Sequence, residues 1–144
     1  MRNYVGVALI KENMVVAQTR DNDPKIKNPG KICIPGGVAE WHDFNNLNVA
    51  ALRELWEETR YLLPLSVVLF GLPLLHTDEI EVNGSSVKRC IFWAEHDGKQ
   101  QIQCKEGAGM GFLSRTQITK ESVAPNFGII FDKAFDIAES LGSR

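Results

Sequence analysis

The chain has little cysteine, no excess of charge and no apolar run long enough to span a membrane. Its three cysteines, Cys33, Cys90 and Cys104, are odd in number and widely spaced, so neither a disulfide framework nor a CxxC motif is indicated. The net charge of −2 gives no support to a large nucleic-acid surface. The apolar stretch at 5–10 is too short for a membrane span or a secretory signal. We therefore expect a cytoplasmic protein with reduced thiols and no membrane contact.

The length of 144 residues suits one domain with one core, covering residues 1–144. The hydrophobic pattern predicts a group of strands, a helix, further strands and a second long helix. The predicted strands are 4–10, 14–19, 32–34, 65–75, 87–94, 100–104 and 110–113; a loop covers 21–31, the helices cover 44–59 and 127–141, and a brief helix lies near Gln117. Each helix has one apolar stripe to bury, so we expect an α/β fold with a mixed sheet between helices. Asp43 or Asn45 is the expected N-cap of the first helix.

The predicted helix at 44–59 carries three glutamates on one face. Glu57 and Glu58 lie three and four positions beyond Glu54, and these spacings make neighbours on a helix. Such like charges repel, at a cost of about 0.2–0.5 kcal/mol per pair. The face is therefore either left to solvent or used to hold a cation. Hard divalent cations such as Mg²⁺ take oxygen ligands, chiefly carboxylates, and the spacing alone leaves both interpretations open.

Together with Pro35-Gly36-Gly37 upstream, the run Arg53-Glu54-Leu55-Trp56-Glu57-Glu58 resembles the Nudix box of the Nudix (MutT-like) hydrolases. That box runs Gly, five residues, Glu, seven residues, then Arg-Glu-apolar-x-Glu-Glu-x-Gly-apolar. The resemblance implies an α/β/α sandwich and Mg²⁺ or Mn²⁺ held by Glu54, Glu57 and Glu58. It also implies hydrolysis of a pyrophosphate bond in a nucleoside diphosphate linked to another group. Arg53 would orient a glutamate by a bidentate bond, with Glu57 within helical reach, and the backbone at Gly36 and Gly37 would approach phosphate.

The chain departs from the box at several points. Asp43 stands where the family has glutamate, and nine residues rather than seven separate it from Arg53, which indicates a two-residue insertion. Arg60 occupies the position of the closing glycine. If a left-handed conformation is required there, its cost is roughly 1 kcal/mol. Because no role is assigned to the shorter Asp43 side chain, we expect Asp43→Asn to affect activity much less than Glu57→Gln.

Three further residues are candidates on the same resemblance. Glu106 matches a segment that supplies another carboxylate near the metals, and either Glu54 or Glu106 would be the general base. Asn126 matches an asparagine that contacts a purine in MutT, with a helix N-cap as the alternative. Arg20 would meet a nucleotide phosphate, or else be a plain surface arginine.

The resemblance thus predicts an Mg²⁺- or Mn²⁺-dependent hydrolase of a small nucleotide. Chain length and Asn126 favour a nucleoside triphosphate or a modified purine nucleotide. A nucleotide sugar is the alternative within the same chemistry, and a non-catalytic nucleotide-binding module is the alternative from another class. Retention of all three helical carboxylates argues against the module. A homodimer is compatible with the sequence, which leaves the oligomeric state open.

Overall fold

The computed structural model describes residues 2–26, 28–40, 43 and 45–142. Within them a seven-stranded mixed sheet has the order β3-β2-β1-β6-β5, with β4 also paired to β1 and β7 to β2. The strands are β1 Arg2–Lys11, β2 Met14–Thr19, β3 Ile32–Cys33, β4 Gly36–Val38, β5 Leu74–Val82, β6 Ser85–Glu95 and β7 Gly109–Ser114. The helices are α1 Leu47–Thr59, α2 Ser66–Phe70 and α3 Gly128–Gly142, with 3₁₀ turns at Arg115–Gln117 and Lys120–Ser122. The predicted α/β fold with a mixed sheet is confirmed.

Strand β1 lies at the centre of the sheet because both of its faces are apolar. It runs parallel to β6 and antiparallel to β2 and β4. On one face Val5, Val7 and Leu9 pack in the same core as α1. On the other face Ala8 and Ile10 pack in a core with α3. Alternation along the strand therefore produces two cores, and the sheet lies between the helices.

Helix α1 begins later than the sequence pattern suggested. Its N-cap is Asn46, whose side-chain oxygen accepts from the N–H groups of Asn48 at 2.9 Å and Val49 at 3.3 Å. The expectation that Asp43 or Asn45 caps the helix is therefore wrong. The expected first residue, Phe44, lies outside the described residues. With the helix starting at Leu47, the two additional residues of the box lengthen the loop rather than the helix.

Arg60 ends α1 in the left-handed conformation that the family's glycine would take. Its φ is 60°, and its N–H donates to the Trp56 carbonyl at 2.8 Å. The guanidinium lies over the Trp56 ring, 4.0 Å from the centroid. This cation–π contact offsets part of the backbone cost.

Two predicted strands are wrong. In the segment 65–75, Gly71 has a φ of 78° and is followed by Pro73, so the chain forms the short α2 before β5 begins at Leu74. Residues 100–104 form a loop. Within and beside it, the N–H groups of Gln103 and Lys105 donate to the Thr59 and Glu58 carbonyls, each at 2.9 Å. These bonds satisfy the carbonyls at the C-terminal end of α1 and use N–H groups that would otherwise be available to a neighbouring strand.

Two strands were missed by the sequence analysis. Strand β4 is only three residues long and pairs with Tyr4–Gly6 of β1. Strand β5 joins β6 through Asn83-Gly84, both with positive φ, as a two-residue type I′ hairpin turn requires. The other predicted strands, the final helix and the brief helix near Gln117 are confirmed within a few residues. No helix within the described residues is long and apolar enough to cross a membrane.

Candidate active site

Arg53 joins three acidic side chains at the centre of the predicted site. Its Nε and Nη2 donate to the two carboxylate oxygens of Asp43 at 2.8 and 2.9 Å. Its Nη1 donates to Glu54 at 3.0 Å and to Glu57 at 3.1 Å. The expectation that a glutamate accepts the bidentate bond of Arg53 is therefore wrong, because Asp43 accepts from both Nε and Nη2. Arg53 does orient Glu57, but through a single bond.

Asp43 is a structural anchor of the box rather than a residue without a role. It is 1 % exposed, and its Oδ2 also accepts from the Glu40 N–H at 2.7 Å. The hydrogen bond to Asp43 is the main cause of a raised Arg53 pKa, so the guanidinium stays charged. The loop before α1 thereby fixes the arginine that orients the glutamates. Sequence spacing could not show this, because the contact depends on how a ten-residue separation closes.

Glu54 is buried against the backbone of β4. A Cβ atom placed on Gly37 would lie 2.5 Å from the carboxylate carbon and both oxygens of Glu54. Glycine is required here because any side chain would displace the carboxylate. Burial raises the pKa of Glu54, the Arg53 charge opposes that shift, and the charges of Glu57 and Glu106 add to it. Gly36 is also close-packed, against the backbone of β1.

Glu58 and Glu106 form a second acidic pair beside Glu54. Glu58 is buried, and the Gly36 N–H donates to its carboxylate. Burial, followed by a hydrogen bond to the Glu106 carboxyl and the charge of Glu106, raises the pKa of Glu58 to about 9. Its Oε2 has no hydrogen-bond donor within the described residues. The raised pKa favours the protonated form of Glu58 at neutral pH when no cation is bound.

The loop that carries Glu106 is held by hydrogen bonds to the end of α1 and to the end of β2. The Lys105 N–H bonds to the Glu58 carbonyl, and the Gln18 side chain donates to the Glu106 carbonyl at 3.0 Å. The Ala108 N–H donates to the Thr19 carbonyl at 2.8 Å. The segment directly after the predicted strand 100–104 thus carries the exposed Glu106, whose carboxyl group contacts Glu58.

The donor set suits a hard divalent cation. Glu54, Glu57, Glu58 and Glu106 are coupled electrostatically, and Glu58 Oε2 is buried without a donor. Within the described residues, no three His, Cys, Asp or Glu side chains are already arranged around a common point as ligands. Glu54 and Glu57 are turned toward Arg53 instead. All-oxygen chemistry matches Mg²⁺ and Mn²⁺ better than softer metals.

Arg20 lies at the same end of the sheet as the carboxylates. Its side chain hydrogen-bonds Cys33, and Cys33 also experiences the charges of Glu58 and Glu106. Burial raises the pKa of Cys33 to about 11, with Arg20 opposing the shift. Arg20 is therefore a cation close to the carboxylate cluster, and its contact with a substrate phosphate stays a prediction.

Asn126 lies in a tight turn before α3 and not at its N-cap. Its φ is 70°, the Phe127 N–H donates to the Ala124 carbonyl at 3.1 Å, and α3 starts only at Gly128. The Asn126 carbonyl accepts from Arg89 Nη2 at 2.8 Å. The capping alternative is therefore excluded by position, and a contact with a purine stays a prediction.

Arg89 is a buried residue that the sequence analysis did not single out. Its Nε and Nη2 donate to Asp78 at 2.8 and 2.5 Å, which lowers the Asp78 pKa to about 2. Its Nη1 has no partner within the described residues, and the guanidinium lies 5.1 Å from the Phe127 ring centroid. Burial raises the pKa of Tyr4 well above its usual value, the charges of Glu58 and Glu54 add to the shift, and Arg89 opposes it. The sequence signal that could have identified Arg89 is a charged residue next to the apolar residues of β6.

Sequence comparison assigns the chain to a family. The sequence model described as the NUDIX domain matches residues 1–131. The chain therefore belongs to the Nudix family. Its members are hydrolases of phosphoric anhydride bonds in nucleoside diphosphate-linked substrates, and this chain is such a hydrolase. No curated protein matches it in sequence.

Solved structures with the same fold differ widely in sequence. A MutT NUDIX hydrolase from Burkholderia pseudomallei is 18% identical, with a TM-score of 0.70 over 94% of this chain and 95% of that one. The NUDIX domain of Shewanella oneidensis NrtR, complexed with ADP ribose, is 17% identical, with a TM-score of 0.74 over 94% and 86%. A C. elegans Ap4A hydrolase in a binary complex is 12% identical, with a TM-score of 0.72 over the whole of both chains. At these identities the likeness shows the fold alone.

Proposed function

We propose that this Nudix hydrolase is a divalent-metal-dependent pyrophosphohydrolase of a small nucleotide. The observation that carries the proposal is the coupled carboxylate cluster, in which Glu58 is buried with an oxygen that lacks a donor. A purely structural cluster would gain stability by replacing such a group with a neutral one. A site for a cation gives the cluster a use that offsets its cost.

Glu54, Glu57 and Glu58 would hold Mg²⁺ or Mn²⁺. When bound, the ion neutralises the anionic phosphate oxygens and lowers the pKa of a bound water. Arg53 restrains the carboxylates of Glu54 and Glu57 through its Nη1, while Asp43 restrains Arg53. Either Glu54 or Glu106 would accept the proton of the attacking water.

The substrate proposal is a nucleoside triphosphate or a modified purine nucleotide. Arg20 beside Cys33 would meet a phosphate, and the backbone around Gly36 and Gly37 would lie along the anhydride. Asn126 next to Arg89 would contact the purine. The ligand and substrate named for the similar structures, ADP ribose and Ap4A, differ from each other and do not favour one substrate for this chain. Three unpaired cysteines are in keeping with a reducing cytoplasm.

The test is a panel assay on the purified full chain. Nucleoside triphosphates, an oxidised purine triphosphate, ADP-ribose and a nucleotide sugar are incubated with Mg²⁺, with Mn²⁺ or with a chelator, and phosphate or pyrophosphate release is measured. We expect release from a triphosphate that the chelator abolishes. Faster release from the nucleotide sugar would replace our substrate with the alternative. Binding without any release would support the non-catalytic module and contradict the proposal.

Glu57→Gln tests the proposed role of Glu57 as a metal ligand in the same assay. The two side chains are nearly isosteric, so the fold should remain while a charged ligand is lost, and kcat should fall by about two to three orders of magnitude. Glu81→Gln, at an exposed position of β5, is the control for the same chemical change and should keep full activity. A loss below tenfold for Glu57→Gln would count against Glu57 as a metal ligand.

A further inference from the structure

The segment after α1 exposes an unusually apolar surface. No charged residue occurs from Tyr61 to Leu75, between Arg60 and His76. The sequence pattern predicts a strand at 65–75, but most large side chains of the run 61–75 point to solvent, with Leu69 79% and Phe70 86% exposed. We call this set the α2 surface: Leu62, Leu65, Val68, Leu69, Phe70 and Leu74.

The α2 surface is held in one place by two attachments to the body of the protein. Val67 is buried in the core beneath α1, which turns the remaining residues of the short helix outward. Leu65 lies three residues before Val68 and four before Leu69, so these three share one face. The Leu72 N–H donates to the Asn48 side chain at 2.8 Å, which fixes the loop after α2 against α1. The exposed residues therefore belong to an anchored element.

The size of the α2 surface matches what one half of a homodimer interface requires. From their exposed fractions, the six side chains offer roughly 500 Å² of apolar area. A standard interface buries about 800 Å² per partner, of which about 65% is apolar in homodimers, so about 520 Å² of apolar area is needed. The largest apolar patch of a monomer is about 300–600 Å² and is often functional, so exposed apolar area of this size is a candidate binding surface.

We propose that the α2 surface is the interface of a homodimer of this chain. The absence of charge along 61–75 fits the charge-depleted core of an interface, and it fits a partner whose surface is equally uncharged, as a second copy is by symmetry. A membrane-surface helix would carry Lys or Arg on its polar face, and this segment carries neither. The net charge of −2 opposes self-association only weakly.

The interface lies away from the carboxylates. Asn48 holds the α2 loop, and it lies on one stripe of α1 with Leu52 and Trp56, each four residues further along. Trp56 is two residues from Glu54 and two from Glu58, and on a helix this separation directs side chains to opposite sides. Dimerisation can therefore be disrupted without touching the site, and the proposal stands or falls separately from the proposed function.

The experiment is sedimentation equilibrium of the full chain, with Mg²⁺ present, from micromolar to near-millimolar concentration. We expect a dimer for the wild type and monomers for Leu69→Glu at concentrations where the wild type is dimeric. Because each substitution occurs twice in a symmetric interface, the dissociation constant should rise by about 100-fold or more. Ile129→Glu, on α3, introduces the same charge at a 52% exposed apolar position outside the α2 surface and should leave the dimer intact.

Each outcome decides the proposal. A wild type that stays monomeric over the whole range overturns it, whether or not the chain binds lipid vesicles or another protein. A dimer that survives Leu69→Glu also overturns it, because the interface then lies elsewhere. Phe70→Ser provides a second, uncharged disruption, and it should give monomers whose circular dichroism and thermal midpoint at low concentration match those of the monomeric wild type.

Discussion

The Asp43→Asn substitution tests whether the loop before α1 controls the site. It replaces one acceptor oxygen of Asp43 by an NH₂ group and removes the negative charge. The two hydrogen bonds of 2.8 and 2.9 Å from Arg53 require two acceptors, so one guanidinium N–H would face a donor. The bond from the Glu40 N–H also ends on Asp43 Oδ2 and would be weakened or lost according to the amide orientation.

The expected cost follows from the burial of the pair. Removing one partner of a fully buried ion pair costs about 3–5 kcal/mol. The Arg53 side chain is 16% exposed and retains Glu54 and Glu57, so part of its charge stays compensated. We therefore expect the free energy of unfolding to fall by about 2–3 kcal/mol. Activity should fall too, because Arg53 would no longer be held while it orients Glu57. This replaces the sequence-based expectation that Asp43 matters little.

Urea unfolding in a chelator measures the stability change without a contribution from bound metal. Asp136→Asn is the matched control, because Asp136 also pairs with an arginine, Arg115, at 2.8 Å but on the exposed surface. That exposed pair should contribute less than about 1 kcal/mol. If the two variants lose equal stability with unchanged m-values, Asp43 is not the buried anchor described above. Retention of full kcat in Asp43→Asn would separately contradict its role in positioning Arg53.

The remaining predictions concern pH and the helix end. The pKa of Glu58 is about 9 in the folded protein, above its usual value of 4.5. The contribution of the protonated Glu58 to stability is therefore complete below pH 4.5 and is lost as the pH rises from 4.5 to about 9. Metal-free wild type should therefore lose stability over this range relative to Glu58→Gln, on the order of a few kcal/mol by thermal unfolding, and parallel curves would contradict the shift. At the left-handed Arg60, Arg60→Ala should be about 1 kcal/mol less stable than Arg60→Gly in urea, since both lose the Trp56 contact and only alanine keeps the backbone cost. Equal stability would show that the conformation is not strained.

Much of the fold could be predicted because its elements carry clear periodic patterns. Strands β1, β2 and β6 and helices α1 and α3 all bury a regular apolar face. The strand prediction at 65–75 was wrong because this run is mostly apolar and has no regular alternation. Its composition does not show which of its side chains are buried. Pro64, Gly71 and Pro73 were the local signals that argued against a strand. The Asn83-Gly84 pair likewise marks the hairpin that ends β5.

The sequence predicts only those contacts of the site that follow from residue spacing along α1. The four-residue period along α1 places Glu54 and Glu58 on one face and brings Glu57 to Arg53. It does not show that Glu54 and Glu58 are buried while the Glu57 side chain remains half exposed. Burial depends on β4 and on the loop that carries Glu106, and both come from other parts of the chain. Contacts between distant segments need the three-dimensional structure.

The distribution of charge in the site links its stability to its use. Arg53 directs its donors to Asp43, Glu54, Glu57 and a backbone carbonyl. The buried Glu58 is instead held by the Gly36 N–H and by a hydrogen bond with the Glu106 carboxyl group. Folding therefore places the carboxylates before any cation arrives, and the burial of Glu58 favours its protonated form. A divalent cation that takes the place of that proton must release it, so metal affinity should rise with pH up to about 9 and protons should appear in solution on binding.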